Sequence, residues 1–64
     1  MRIELKQARQ HAGMTQKETA QKISISLRYY QDIEAGIKVG RASIWDSLED
    51  LFSVPQRELR ENVD

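Results

Sequence analysis

Between Thr15 and Gly36 the chain carries two helix starts and two helix stops within 22 residues, and this segment constrains the fold more than any other. Thr15 and Glu18 stand three apart, the spacing at which hydroxyl and carboxylate satisfy each other's free backbone N–H groups, so a helix is predicted from Gln16. Ala20 and Ile23 supply its inward face. It must be short, because Ser24, Ile25 and Ser26 are hydroxyl or β-branched residues that favour a turn followed by an N-cap. Ser26 then caps a further helix over 27–34, and Gly36 ends it. Two short helices joined by a tight turn are the result.

The flanks fit the same plan. Leu5, Ala8 and Ala12 fall on one stripe of a first helix over about 2–12, which Gly13 is placed to stop in a left-handed cap. After a loop over 37–42 containing Gly40, Ser43 and Asp46 mark another helix start. Ile44, Trp45, Leu48, Leu51 and Phe52 follow at helical spacing. Pro55 suits the first turn of a last short helix with Leu59 turned inward, and the final four residues, 61–64, are expected to fray. The predicted fold class is all-α, with five short helices and no strand. The domain reading is a single domain over 1–64, ordered over about 2–61.

Composition narrows the chemistry. With 64 residues the core is small, so stability is modest and a partner subunit would help. There is no cysteine and one histidine, which removes disulfides, thiol catalysis and a zinc site; no metal and no cofactor is expected. His11 falls near the end of the first helix, where a cation suits the dipole, and is read as neither ligand nor base. Asp46, Glu49 and Asp50 are read as a solvated face rather than as paired acid–base carboxylates, and no enzyme is expected. No apolar run approaches bilayer length and no signal-peptide segment is visible, so the expected setting is cytoplasmic.

Net charge is zero, yet the charges are unevenly placed. Residues 1–41 hold eight Lys/Arg against four acids, an excess of four cations, and residues 42–64 hold two against six. The positive pole thus coincides with the two-helix segment. Around the helix predicted over 27–34, taking Leu27 as origin, Tyr29, Ile33 and Tyr30 lie at about 200°, 240° and 300° and face the core. Leu27, Gln31, Arg28 and Asp32 lie at about 0°, 40°, 100° and 140°, a separate outward arc. That arc offers an apolar, an amide, a cationic and an acidic group, the donor and acceptor types that distinguish base edges.

Arg9, the run Gly13, Met14, Thr15, Gln16, Glu18 and Ala20, then Ile23, Ser26, Tyr30, Ile33, Glu34 and Gly36, and the tail Leu48, Phe52 and Val54 together resemble the phage-repressor and Cro type of helix-turn-helix, the XRE family. The likeness covers about residues 3–59. It implies a lambda-repressor-like DNA-binding domain with the helix-turn-helix at the second and third helices, a bacterial or phage setting at the nucleoid, and double-stranded DNA as partner. Three departures stand out. Ser24 replaces the usual turn glycine, which predicts mild backbone strain. Thr19 replaces the usual leucine, weakening one core contact. Glu49 replaces a small apolar residue, and the loop before the fourth helix is one residue longer.

The resemblance and the residues together assign roles. Arg28 is the leading base reader, able to pair bidentately with guanine; Gln31 suits adenine, Leu27 a thymine methyl, and Asp32 cytosine N4. Gln16 opens the second helix, where the resemblance implies a phosphate contact. Lys17, Ser26, Tyr29, Lys38 and Arg41 are further candidates for phosphate, with Lys22 beside them. Arg9 and Glu34 match a family ion pair between the first and third helices, read as structural. The broad apolar stripe of the fourth helix is either a wide core face or in part a homodimer contact; Ile44, Trp45 and Leu51 are the candidates for that contact, since the resemblance implies repressors that pair through C-terminal helices and read half-sites about 34 Å apart. The resulting expectation is a sequence-specific transcriptional regulator, a repressor. No effector domain is expected in it, so control would come from its own concentration, a dimer equilibrium or a regulatory protein partner. The rival is a protein-interaction module, antitoxin-like or bridging, that keeps the fold with weak or no DNA binding.

Overall fold

The computed structural model describes residues 1–63. Those residues form five helices: α1 (Ile3–His11), α2 (Gln16–Lys22), α3 (Leu27–Ala35), α4 (Ala42–Phe52) and α5 (Gln56–Leu59). α2 packs on α3, α1 on α3 and α5, and α4 on α5, so α1 joins the two-helix unit to the C-terminal pair. The all-α, five-helix expectation holds for these residues.

Local chemistry explains most boundaries. The Thr15–Glu18 capping box is complete: Glu18 N donates to Thr15 Oγ1 at 3.0 Å and Thr15 N to Glu18 Oε1 at 2.9 Å. The bond from the Thr15 main chain, with its side chain, holds the Glu18 carboxyl below the usual carboxylate range. Ser26 Oγ accepts from Tyr29 N at 3.1 Å and starts α3. Gly36 ends it at φ 84°, a conformation that L side chains avoid, and a Cβ there would also collide with the Asn62 side chain.

Ser24 occupies the turn at φ 60°, the left-handed region that the expected glycine would adopt freely. The strain costs about 1–3 kcal/mol and glycine's extra unfolded-state freedom takes back about 0.5–1. Ser24→Gly is therefore expected to raise stability by about 1 kcal/mol, read as a higher melting temperature; a lower one would show that the serine is relaxed there. Thr19 is fully buried, and its hydroxyl donates to Thr15 O at 3.0 Å, so the polar atom is satisfied inside its own helix.

Two boundary expectations need correction. α4 begins at Ala42 with Arg41 as its N-cap and no side-chain cap bond; Ser43 lies within the first turn, its carbonyl accepting from Ser47 Oγ. The last described residues, expected to fray, are hydrogen-bonded to the chain start and to the end of α3. Val63 N donates to Met1 O at 2.9 Å, the Met1 ammonium donates to Asn62 Oδ1 and Val63 O at 2.8 Å, and Asn62 Nδ2 reaches Gly36 O. Asp64 lies outside the described residues.

The core is Leu5, Ala20, Tyr30, Ile33, Ile44, Trp45, Leu48 and Leu59, flanked by the half-buried Ala8, Ile23, Ile25, Tyr29, Phe52 and Val54. Here the dimer assignment fails for two residues of three. Ile44 and Trp45 are 4% and 0% exposed within one chain, so neither offers surface to a second copy. Trp45 Nε1 is also committed, donating to Val39 O at 2.8 Å, and Arg2 and Arg60 lie over its ring at 5.2 and 5.7 Å. Leu51 keeps partial exposure. α5 and the chain ends cover the stripe that looked surplus for so short a helix.

Asp50 is exposed as expected, but the other two acidic residues of α4 are not merely solvated. Glu49 Oε2 accepts from Gln56 N at 2.8 Å and Asp46 Oδ1 from Gln56 Nε2 at 2.8 Å, which caps α5 across the Ser53 corner. That is what a glutamate in place of a small apolar residue does here: it supplies the cap that Pro55 cannot.

Candidate nucleic-acid interface

α3 has two faces. Tyr30, Ile33 and Glu34 are buried, while Leu27 is 39% exposed, the Arg28 side chain 84% exposed, and Gln31 exposed. Lys17 on α2, Ser26 at the α3 cap, Lys38 in the following loop and Arg41 at the start of α4 are all exposed. Tyr29 is half-buried, packed on the core with Lys38 Nζ at 5.5 Å from its ring centroid.

Beneath this surface α3 is fixed by a charged cluster. Arg9 Nε donates to Glu34 Oε2 at 2.9 Å and Arg9 Nη2 to Glu34 Oε1 at 3.0 Å, a two-pronged pair joining α1 to α3. Arg9 Nη1 also donates to Met14 O, so the guanidinium grips the loop before α2 as well. Burial pushes Glu34 up, but the bonds from Arg9, helped by its charge and by Gln16, outweigh it and hold the carboxyl below its usual range. Arg9 is correspondingly raised, chiefly by its bond to Glu34. Burial, then the neighbouring carboxylate, pushes the Tyr30 phenol well above its ordinary value and keeps it neutral; its hydroxyl completes no well-formed hydrogen bond.

Gln16 is more than a helix start. Its Nε2 donates to Glu34 Oε1 at 3.3 Å, and its Oε1 accepts from Gln31 Nε2 at 3.3 Å. A chain of polar contacts thus runs from the buried ion pair to the outward arc of α3.

Asp32 departs from expectation. Its side chain is only 13% exposed and meets Arg28 Nε through Oδ1 at 3.4 Å and Lys38 Nζ through Oδ2 at 3.8 Å. Both oxygens face cations of the same surface, so Asp32 is not the free acceptor that pairing with cytosine N4 requires. The outward arc narrows to Leu27, Arg28 and Gln31.

Arg2 is the residue that sequence reasoning missed. It is 5% exposed, and its guanidinium donates to the main-chain carbonyls of Ile33, Lys38 and Arg60. Ile33 and Arg60 end or nearly end α3 and α5, where the helix dipoles are negative, so backbone rather than a carboxylate supplies the counter-charge. Burial and then Arg60 lower its pKa. Ile37 and Val39, 73% and 64% exposed beside Lys38, were also not singled out.

A pair of short capped helices, the second with a buried inner face and a cationic, amide-bearing outer one, defines a helix-turn-helix unit. The helix-turn-helix domain family matches residues 1–62, and the chain belongs to that family of DNA-binding domains. Comparison with curated proteins and with solved structures gives no match. No helix among the described residues is long and apolar enough to cross a membrane.

Proposed function

We propose that the protein is a sequence-specific transcriptional regulator of the phage-repressor and Cro type, a repressor that reads the major groove of double-stranded DNA with α3. The observation that carries this is the two-faced α3: an outward Leu27, Arg28 and Gln31 over an inner face locked by Tyr30, Ile33 and Glu34. Lys17, Lys38 and Arg41 border that arc as phosphate contacts, with Gln16, Ser26 and Tyr29 beside them. The setting that follows is the cytoplasm of a bacterium or a phage host, at the nucleoid. The acting species is a homodimer, in which the exposed part of Leu51 replaces the α4 contact first expected from three residues.

The test is binding to oligonucleotides selected from a random pool, followed across salt. About six phosphate contacts give a log-affinity against log-salt slope near −5. A flat slope, or no selected sequence, would sink the proposal. Arg28→Ala is expected to relax preference at one base pair, and Lys17→Ala to weaken all sequences alike. A palindromic selected site would carry the dimer.

Ile37 and Val39 favour a second reading, a protein-interaction module with weak or no DNA binding. It predicts the flat salt slope.

A further inference from the structure

The geometry points to Asp32 as a positioning residue that aims the Arg28 guanidinium at a guanine, rather than a residue that reads a base itself. This rests on α3 being the major-groove helix. Arg28 meets Asp32 through Nε at 3.4 Å, on the inner edge of the guanidinium. The closest approach is through Nε on a side chain 84% exposed, so the two terminal NH2 groups stay available for a bidentate bond to guanine O6 and N7. The carboxylate is itself held. Its second oxygen faces Lys38 Nζ at 3.8 Å, and the Asp32 carbonyl accepts from Ile37 N at 2.9 Å and Lys38 N at 3.2 Å, which fixes the loop that carries Lys38.

The pair is poorly suited to stabilising the helix. Arg28 lies in the first turn of α3, at the positive end of the dipole, with the acid four residues later, the reverse of the favourable order. In water a pair whose arginine is this exposed holds loosely. Against DNA, with water excluded, the same contact strengthens and restricts a side chain that is otherwise free to seek phosphate. Asp32 thereby costs affinity for DNA in general and adds discrimination at one position.

The experiment compares the full chain with Asp32→Asn on the selected site, on that site with its Arg28-contacted guanine replaced, and on unrelated DNA, at one salt concentration. Thermal melting checks that the variant is folded. The expected result is a loss of about tenfold in preference for guanine at that position, together with a several-fold gain on unrelated DNA. In an Arg28→Lys background, Asp32→Asn should leave base preference unchanged, because the inner-edge contact is already gone. Equal gains on all sequences with the guanine preference intact would overturn the inference and make Asp32 a simple repeller. Lost preference at a cytosine, with the guanine preference intact, would overturn it in favour of direct reading. If the wild-type chain selects no sequence, the DNA reading falls and this inference with it. If the wild type selects a site and Asp32→Asn reads it unchanged, only this inference falls.

Discussion

Glu34→Gln should lose about 3 kcal/mol of folding stability and melt about 12–24 °C lower than the wild type. Glu34 is 2% exposed and is the counter-charge for Arg9, whose guanidinium is held against it by two bonds of 2.9 and 3.0 Å. An amide leaves that cation half-buried without its partner, and a chain of this size has only about 3–10 kcal/mol in total. The effect has a pH signature. Because the folded carboxyl is held below its ordinary value, its contribution is fully present above the unfolded pKa of about 4.3 and is lost as pH falls through the lower folded value. The gap between wild type and Glu34→Gln should therefore be widest near neutrality and close on acidification, as followed by chemical denaturation at a series of pH values. A gap that does not change with pH would mean that the amide acts through packing alone. The double variant Arg9→Met/Glu34→Leu should recover much of the loss, since apolar side chains of similar volume replace such pairs at little cost.

Arg2→Ala is expected to cost about 3 kcal/mol, comparable to loss of the ion pair, although no carboxylate is involved. The carbonyls of Lys38 and Arg60 lose the Arg2 donor, that of Ile33 keeps only Gly36 N, and the Trp45 ring loses the guanidinium over it at 5.2 Å. Arg2→Lys should recover only a minor part, because an ammonium cannot reach three carbonyls from one plane. Urea denaturation of the three proteins gives the order. A surface-like loss below about 0.5 kcal/mol for Arg2→Ala would show that water replaces the guanidinium without penalty.

The two residues differ in how visible they are along the chain. Glu34 has its own neighbourhood: a helix with Tyr30 and Ile33 inward, a glycine two residues later, and a resemblance that implies a pair with Arg9. Arg2 has none, because its acceptors are main-chain carbonyls 31 to 58 residues away, and no spacing of side chains reports where carbonyls converge. The capping box, the Ser26 cap and the Gly36 stop were legible because each depends on residues within a turn of one another. The α4 stripe is ambiguous in the sequence for the opposite reason. Periodicity marks Ile44 and Trp45 as apolar on one helix, but what covers them comes from α5 and the first residues, far off in sequence. Asp32 was assigned by its angle on the helix, and angle alone does not reveal that both oxygens face cations at Arg28 and Lys38.

Gln31 is two hydrogen bonds from Glu34, by way of Gln16. On the proposed reading, one of the side chains that chooses a base is steered from the interior of the molecule. Substitutions around Tyr30, Arg9 or Met14 can then shift operator preference without ever approaching DNA. A lineage adapting to a new binding site would have two places to change, the groove-facing arc and the hidden cluster behind it, and the second would leave no trace in a map of DNA contacts.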